Sequence, residues 1–399
     1  MRNIPYAILI AAMTGCGDEA KVTQPTEALS HQESIPQYRI IKFESTRGGT
    51  SRGSDINDQG WVAGFSDSTD GTRHATLWRN GSLIDLRTLG GPHSNVQWHG
   101  LSSGGMVVGI AETAETDSLN EAWSCSAFFP SATGKVCRGF VWEGGEMTAL
   151  PTLGGTHGYA ASVNNRGQVV GWAETPVHDD TCDSPTQILQ FRAVMWEPKR
   201  NRKAELPPFP GDSTSAATAI NDRGQVVGIS GECDIAVGRF SARHAVLWED
   251  GKVTDLKNLG GTTWHTPTAI NNQGDIVGFS NPAAPGDIVG DFLVRAFLWT
   301  RAGGMQPLGR LAGDSTSQAR GINSRRQVVG VSTSFEGVSR AFLWDGTMRN
   351  LNALAEPGFA DSLVAAQDIN EAGHITGTLL ELSTGKVLPF VAVPTSGRP

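Results

Sequence analysis

A nine-residue pattern occurs seven times along the chain, and it constrains the fold more than any other feature. Each copy has Ile-Asn or a close equivalent, two polar residues, usually Gly, one further residue, a Val-rich pair and Gly. The copies begin at Ile56, Leu101, Val163, Ile220, Ile270, Ile322 and Ile369. Their starts lie 45 to 62 residues apart, which indicates one supersecondary unit copied in tandem. The pattern therefore predicts a single repeat architecture for most of this chain.

Each copy is predicted to form four antiparallel strands. In the fifth copy the segment TAIN (268–271) precedes a tight Asn-Asn-Gln-Gly turn, and DIVGFS (275–280) and VRAFLW (294–299) follow as further strands. Asn and Gly tolerate the positive φ that such turns need, and Asp-Gly at 250–251 is typical of the hairpin before a fourth strand. Four strands per unit of this length predict a β-propeller blade. The insertions at 110–137 and 173–190 fall between second and third strands.

The two ends of the repeat region predict how the ring closes. The segment from Tyr38 to Gly49 aligns with a fourth strand, whereas Leu388 to Val393 aligns with a third strand and then stops. The N-terminal strand can therefore complete the last blade and remove an open sheet edge. We predict an all-β, seven-bladed propeller over residues 37–394, closed by this strand, and a disordered tail over 395–399.

The first residues have the features of a targeting segment. Arg2 precedes a short apolar run from Ile4 to Met13, which is too short to span a bilayer. Met-Thr-Gly-Cys at 13–16 resembles the lipobox of bacterial lipoproteins, which implies a signal peptide over 1–15 and a lipid on Cys16. The alternative is a secretory peptide with an incidental cysteine. Gly17 favours the outer membrane or cell surface, and residues 16–36 are expected to form a flexible tether.

Charge and cysteine content restrict the function classes. The chain has 40 acidic and 32 basic residues, a net charge of −8, so nucleic acid is not an expected partner. Four cysteines follow Cys16, and an even number in an exported chain suggests disulfides with three possible connectivities. No C-x-x-C pair is present, so we expect no metal and no cofactor.

One connectivity would organise the first insertion. A local Cys125–Cys137 bridge would fix a loop tip that carries Phe128 and Phe129, and would leave Cys182 and Cys233 to pair between adjacent blades. The two phenylalanines would then form either an exposed contact knob or a cluster buried against their own blade.

The combined pattern of Leu-Gly-Gly, Ile-Asn-x-x-Gly-x-Val-Val-Gly and His-Ala-Phe-Leu-Trp resembles the extracellular HAF repeat family. The resemblance extends from residue 38 to 393, although the seventh copy has Leu-Pro-Phe at 388–390 in place of the family triad. It implies an exported protein with propeller-like repeats, and it implies no established activity.

Residues repeated in every blade have a structural explanation as well as a functional one. The residue that opens the third strand is cationic in six copies: His74, Arg138, Arg192, His244, Arg295 and Arg340. These side chains would form either an anion-binding collar or local bonds to neighbouring groups such as Asp85 and Asp255. A ligand site usually breaks the symmetry of a repeat, so we favour the local bonds. The Trp that ends the same strand is likewise expected to pack between blades.

Residues that are not repeated are better candidates for a binding site. Loops joining the second and third strands, and loops joining blades, emerge on one face of a propeller. The candidates in or beside these loops are Trp98, His99, Trp123, Phe128, Phe129, His157, Tyr159, Trp172, His178, Asp179, Asp180, Trp264 and His265. Aromatic groups among carboxylates suit saccharide or peptide recognition. Consecutive residues such as 178–180 rarely converge on one metal ion, so a metal site there is not favoured.

The sequence thus favours a monomeric, lipid-anchored binding module whose ligand is a saccharide, a protein or a peptide. One alternative is a propeller glycan hydrolase or lyase that uses loop carboxylates, although no motif selects a catalytic pair and we favour a role without catalysis. Another alternative is a scaffold or adhesion protein of the cell envelope with no small ligand.

Overall fold

The computed structural model describes residues 37–45, 48–121, 125–283 and 292–395. The predicted signal peptide, Cys16, the tether, Trp123 and most of the predicted tail lie outside these ranges. Residues 36–399 form one compact unit. No helix in the described ranges is long and apolar enough to cross a membrane.

Seven four-stranded antiparallel sheets form the blades of a β-propeller. Blade 1 contains β2 (Gly48–Ile56), β3 (Val62–Ser68), β4 (Arg73–Arg79) and β5 (Ser82–Asp85). Blade 2 contains β6 (Gly90–Asn95), β7 (Val107–Thr116), β8 (Lys135–Glu143) and β9 (Glu146–Ala149). Blade 3 contains β10 (Gly158–Val163), β11 (Val169–His178), β12 (Leu189–Glu197) and β13 (Arg202–Leu206). Blade 4 contains β14 (Thr214–Ile220), β15 (Val226–Gly231), β16 (His244–Glu249) and β17 (Lys252–Asp255).

The remaining blades follow the same order. Blade 5 contains β18 (Thr266–Ile270), β19 (Ile276–Ser280), β20 (Arg295–Thr300) and β21 (Gly304–Gly309). Blade 6 contains β22 (Thr316–Ile322), β23 (Val328–Thr333), β24 (Ser339–Trp344) and β25 (Met348–Asn350). Blade 7 contains β26 (Ser362–Ile369), β27 (Ile375–Glu381), β28 (Lys386–Pro394) and β1 (Tyr38–Lys42). Short 3₁₀ helices occur at Pro198–Arg200 and Leu351–Leu354.

The N-terminal strand closes the ring, as the sequence predicts. β1 pairs antiparallel with β28, from Tyr38 opposite Pro394 to Lys42 opposite Phe390. The Tyr38 side chain is buried in the hydrophobic cluster of blades 6 and 7, beside Leu351 and Leu354. The pairing of the first and last strands therefore closes blade 7 and the ring.

The repeated Asn explains why the nine-residue pattern recurs. In blade 5 the Oδ1 atom of Asn271 accepts hydrogen bonds from the backbone N–H groups of Gln273 (3.0 Å) and Asp275 (2.9 Å), which fixes the turn between β18 and β19. The Nδ2 group of Asn271 donates to the backbone oxygen of Asn323 in the next blade (3.2 Å). One side chain thus satisfies its own turn and joins two blades.

These amide bonds follow one another around the ring. The donor–acceptor pairs are Asn164 to Asn221, Asn221 to Asn271, Asn271 to Asn323, Asn323 to Asn370, Asn370 to Asn57, and Asn57 to Ser102. Blade 2 has Leu-Ser in place of Ile-Asn, so the series is interrupted where Ser102 would have to donate.

The repeated Trp packs between blades. Trp142 lies in a cluster with Leu77 and Ala75 of the preceding blade, and Trp248 lies in a cluster with Ala193 of its preceding blade. The indole Nε1 of Trp248 also donates to the backbone oxygen of Pro207 (2.7 Å). This Trp therefore belongs to the core that holds neighbouring blades together.

Candidate functional site

The first strands of the blades contact one another around a central channel. In each blade one loop joins the second and third strands, and another loop leads to the next blade. We call the end of the channel where these two kinds of loop lie the upper end. Two layers of side chains line this channel, at four and two positions before the nine-residue pattern; they belong to the first strands except in blade 2, where both positions follow β6. The upper layer contains Arg52, Gln97, Tyr159, Ala216, Thr266, Gln318 and Ala365, and the lower layer contains Ser54, His99, Ala161, Thr218, Thr268, Arg320 and Gln367. These two layers differ from blade to blade, whereas the pattern that follows is nearly constant.

A recurring β-bulge turns the lower layer toward the channel. The register between the first and second strands shifts around Ser54, Ala161, Thr218, Thr268, Arg320 and Gln367. A bulge adds one unpaired residue and re-aims its side chain. The fold therefore supplies one variable, channel-facing position in each of these blades.

A cavity of about 250 Å³ occupies the upper end of the channel. Aromatic side chains form much of its wall: Trp98, Phe128, Tyr159, Trp172, Trp264 and Phe279. Small residues, among them Ala161, Ala216 and Ala217, leave the space open, and Gln97, Gln318 and Arg320 supply polar groups. A concave, mostly apolar space with a few polar groups is the usual form of a small-ligand pocket.

The insertions and disulfides build one side of this pocket. Cys125 is bonded to Cys137, and Cys182 to Cys233, with Cα–Cα distances of 5.7 and 4.5 Å. This is the connectivity considered from the sequence. The second bridge links the loops of blades 3 and 4, and both bridges lie in a hydrophobic cluster with Trp172.

The tip of the first insertion folds inward, not outward. Phe128 stacks on Tyr159 with ring centroids 4.9 Å apart and lines the pocket, whereas Phe129 is buried against His93. The backbone oxygen of Phe128 accepts a hydrogen bond from Asn95 (2.8 Å). The exposed contact knob considered from the sequence is therefore not formed.

Two buried polar groups of the pocket wall lack partners. Tyr159 is 2% exposed and Trp172 is 1% exposed. Within the described ranges, neither the Tyr159 hydroxyl nor the Trp172 indole Nε1–H has a hydrogen-bond partner. An unsatisfied buried polar group costs about 1–3 kcal/mol, so such groups at a pocket wall indicate where a ligand would bond.

Two arginines supply positive charge beside these groups. The Arg52 guanidinium donates to the backbone oxygen of Gln97 (2.6 Å) and lies 5.4 Å from the ring centroid of Phe65. Arg320 donates to Gln318 Oε1, and its Nε is buried without a partner. Among the ion pairs of the described residues, none involves Arg52 or Arg320.

The pKa values of both arginines are lowered. Burial, together with the charges of Arg320 and Arg73, lowers the pKa of Arg52 to about 9. Burial lowers the pKa of Arg320 to about 10. Both side chains retain some solvent access from the channel, and both remain cationic at neutral pH. The channel thus holds two positive charges, and neither guanidinium forms an ion pair with a carboxylate of the described residues.

A pair of carboxyl groups lies next to the lower layer. Asp55 and Asp368 are hydrogen-bonded to each other, and burial followed by the charge of Asp368 raises the pKa of Asp55 well above its usual range. Asp55 also accepts the backbone N–H of Leu101 (2.6 Å), and Asp368 accepts that of Ile56 (3.1 Å). His99 Nε2 lies 3.4 Å from Asp368.

This dyad joins blades 7, 1 and 2 through backbone groups. Glycosidase carboxylates stand about 5 to 9.5 Å apart, with room for a sugar or water between them. Two carboxyls in direct contact do not have this arrangement, so this dyad is not a glycosidase pair; it lies on β2 and β26, apart from the loop carboxylates of the hydrolase or lyase considered from the sequence.

His157 belongs to a second buried cluster, with Asp117 and Glu121 within metal-ligand reach of one another. The Nδ1 atom of His157 accepts the backbone N–H of Cys137 (3.1 Å), which assigns the proton to Nε2. Nε2 faces Asp117 Oδ2 at 3.4 Å. Because a metal ligand needs a free lone pair on Nε2, the geometry fits a hydrogen bond to Asp117 better than a metal ion. His93 Nδ1 accepts the backbone N–H of Arg73 in the same way (3.0 Å), and this hydrogen bond joins blades 1 and 2.

The six repeated cations bond locally and do not line the pocket. His74 contacts Asp85 (2.9 Å), His244 contacts Asp212 (2.8 Å), and Arg340 pairs with Asp314. Arg192 contacts Gln190 (3.1 Å), whereas Arg138 and Arg295 donate to backbone oxygens. Asp255, which the sequence suggested as a partner, pairs instead with Lys257 (3.1 Å).

The remaining candidates divide between the pocket and the blade rims. Trp98 and Trp264 line the pocket, and His99 lies below it. His265 is buried and bonded to Ser280 (2.8 Å) and Gly261 (3.2 Å), and burial lowers its pKa to about 4. His178 and Asp180 are exposed, and Asp179 caps a local turn at Thr181 (2.9 Å).

Sequence reasoning placed the candidates in loops and missed the channel arginines. Tyr159 and Trp172 belong to β10 and β11, and Arg52 and Arg320 belong to β2 and β22. The signal was present in the sequence: aligning the seven copies shows that the two positions before each pattern vary in charge and size.

Comparisons with solved structures agree with the fold. The acylaminoacyl peptidase of Pyrococcus horikoshii matches with a TM-score of 0.50 and 13% identity over 88% of this chain, which covers 53% of that enzyme, about half its length. The β-propeller domain of the Trilobed protease from Pyrococcus furiosus matches with a TM-score of 0.50 and 13% identity, over 88% of this chain and 100% of that domain. That domain is described as having an open velcro topology, whereas β1 closes the ring here. No family model matches the sequence, and no curated protein matches it significantly. At this identity the likeness defines a propeller and no activity.

Proposed function

We propose that this chain is a binding module whose ligand enters the pocket at the upper end of the propeller channel. The observation that carries the proposal is the pair of buried, unpartnered donors of Tyr159 and Trp172 inside a mostly aromatic cavity. A ligand group would replace the water that these donors lose on folding. The ligand is a saccharide or a peptide that inserts one terminal group, because the cavity of about 250 Å³ holds a single ring-sized group.

The variation of the channel layers supports this function. A propeller needs its repeated Asn, Gly and Trp to hold blades together, but it does not need five residue types at one channel position and six at the other. Asymmetric chemistry on a symmetric scaffold is what recognition of one ligand requires.

We further propose that the module works outside the cytoplasm, anchored through a lipid on Cys16. The two disulfides support export, since such bonds persist in oxidising compartments. A Cys16→Ser variant expressed in a Gram-negative host is expected to move from the membrane fraction to the soluble periplasmic fraction. Recovery of this variant in the membrane fraction, at the level of the native chain, would contradict the anchor.

Binding is tested with residues 36–399, which form one compact unit, on arrays of glycans and peptides. Any hit is then measured with Ala216→Leu, which fills the pocket, and with Ala365→Leu, which adds the same volume in the same layer outside the cavity. We expect the first variant to lose binding and the second to keep it. Equal binding by both variants would place the ligand elsewhere and refute the pocket.

A further inference from the structure

The polar groups of the pocket are unequally divided between donors and acceptors. Tyr159 can donate its hydroxyl proton, Trp172 can only donate, and the guanidinium groups of Arg52 and Arg320 can only donate. The side-chain oxygen of Gln318 is already bonded to Arg320, and that of Gln97 accepts from Asn95 (3.1 Å). The groups left for a ligand are therefore mainly donors, whereas a neutral sugar ring presents hydroxyls that also need acceptors.

Arg52 lies outside the residues that line the cavity, and its charge acts on two of them. The charge of Arg320 lowers the pKa of Arg52, so the two guanidinium groups interact. Arg52 also acts on the Tyr159 hydroxyl, whose pKa is raised by burial and lowered by this arginine. Arg320 itself lines the cavity. The donors of Tyr159 and Arg320 thus face one space from opposite blades, 3 and 6.

Unbalanced cations in a channel are costly unless a ligand balances them. Several other arginines have carboxylate partners: Arg73 contacts Asp67 (2.6 Å), and Arg340 pairs with Asp314. Arg52 and Arg320 instead repel each other inside a partly desolvated channel, where a buried charge without a partner lowers stability. A ligand that carries a negative charge would remove this penalty.

We propose that the pocket recognises an organic carboxylate on a ring-sized body, such as a uronic acid or an aromatic acid. The inference rests on the proposed function and specifies its ligand class. The carboxylate accepts from Arg320 and the Tyr159 hydroxyl, because Arg presents parallel N–H groups that match a carboxylate, and the charge of Arg52 adds to the attraction. The ring lies among Trp98, Trp264 and Phe279, and the carboxylate offsets part of the positive charge of the two arginines.

The test uses matched pairs of probes that differ in the carboxylate. Isothermal titration calorimetry with residues 36–399 compares galacturonate with galactose, and phenylacetate with phenylacetamide. We expect at least one acid to bind about 10-fold or more tightly than its neutral partner, since a charged hydrogen bond contributes about 1.5–3 kcal/mol. The sugar and aromatic pairs distinguish the two sources of the ring.

Variants then locate the binding. Arg320→Gln is expected to weaken the acid about 10- to 100-fold, whereas Arg200→Gln removes the same charge from an exposed site and should leave affinity unchanged. Thermal unfolding of each variant establishes that it is folded, and loss of an unbalanced charge at Arg320 should not lower the midpoint.

The outcomes separate the ligand class from the pocket. If a neutral probe binds as tightly as its acid and Ala216→Leu abolishes both, the carboxylate proposal is wrong and the pocket stands. If an acid binds equally to the native chain and to Ala216→Leu, the ligand does not bind in this pocket, and both the proposed function and the carboxylate proposal are wrong. If neither acid binds at 10 mM, the carboxylate proposal is overturned.

Discussion

Removing the hydroxyl of Tyr159 is expected to stabilise the protein, whereas removing a buried polar group usually destabilises it. This side chain is 2% exposed, and its hydroxyl has no hydrogen-bond partner among the described residues. Tyr159→Phe removes only the oxygen, so it leaves the packing on Phe128 in place. An unpartnered buried hydroxyl costs about 1–3 kcal/mol, and we therefore expect the free energy of unfolding to rise by about 1 kcal/mol.

A matched control is available in the same channel. The Oγ1 of Thr268 is buried and donates to the backbone oxygen of Ala319 (2.9 Å), so Thr268→Val should lower the free energy of unfolding by about 1 kcal/mol. Both variants are compared by urea unfolding of residues 36–399, monitored by circular dichroism. A loss of 1 kcal/mol or more for Tyr159→Phe would show that the hydroxyl has a structural partner, and the reasoning would fail.

Ligand affinity should change in the opposite direction. If the Tyr159 hydroxyl is kept for a ligand, Tyr159→Phe stabilises the free protein and weakens the bound acid about 3- to 10-fold, the range of one neutral hydrogen bond. Such an exchange of stability for binding is common at functional sites. Unchanged affinity would separate the hydroxyl from recognition.

Three further predictions concern closure, the disulfide and pH. Tyr38→Ala should lower the free energy of unfolding by about 3–5 kcal/mol, as for other buried aromatics. Arg39→Ala, on the exposed side of β1, should change it by less than about 0.5 kcal/mol. Equal effects of the two variants in urea unfolding would contradict closure of the ring by β1. The Cys182–Cys233 bridge closes a span of 51 residues, so replacing both cysteines by Ala should destabilise the fold by about 4 kcal/mol in the chain-entropy estimate; a change below 1 kcal/mol, by the same assay, would show that blades 3 and 4 do not depend on it. The pKa of Arg52 is lowered to about 9, so carboxylate affinity should be constant from pH 6 to 8 and fall as the pH rises through about 9, where the arginine loses its proton. An affinity that rises above pH 9 in calorimetry would contradict a role of Arg52 in attracting the carboxylate.

The fold could be predicted from the sequence because the same strand and turn pattern recurs in each blade. The Asn turn, the Val-rich strand and the Trp between blades each recur, so one ambiguous copy is corrected by six others. Closure followed from the leftover strand at Tyr38. The sequence leaves three disulfide connectivities open, and the structure has the one that joins Cys125 to Cys137 and Cys182 to Cys233.

The candidate site could be predicted only in part, for a physical reason. Trp98, Phe128, Tyr159, Trp172 and Trp264 were selected because they break the repeat, and they line the pocket. The aligned copies show that the channel positions vary, but strand periodicity does not say that Arg320, the residue at a bulge, faces the axis. The recurring bulge decides this, and it becomes visible only in the register of paired strands.

The most direct test of the pocket is ¹⁹F NMR of residues 36–399 labelled with 5-fluorotryptophan, whose signals are assigned by single Trp→Phe variants. Nine of the 11 tryptophans fall into two groups, which leave out Trp61 and Trp123: pocket residues Trp98, Trp172 and Trp264, and blade residues Trp78, Trp142, Trp196, Trp248, Trp299 and Trp344. On addition of the acid that calorimetry selects, we predict that the signals of the pocket group shift and those of the blade group stay. Shifts confined to the blade group, or no shift of Trp172 at saturation, would contradict a ligand in the channel.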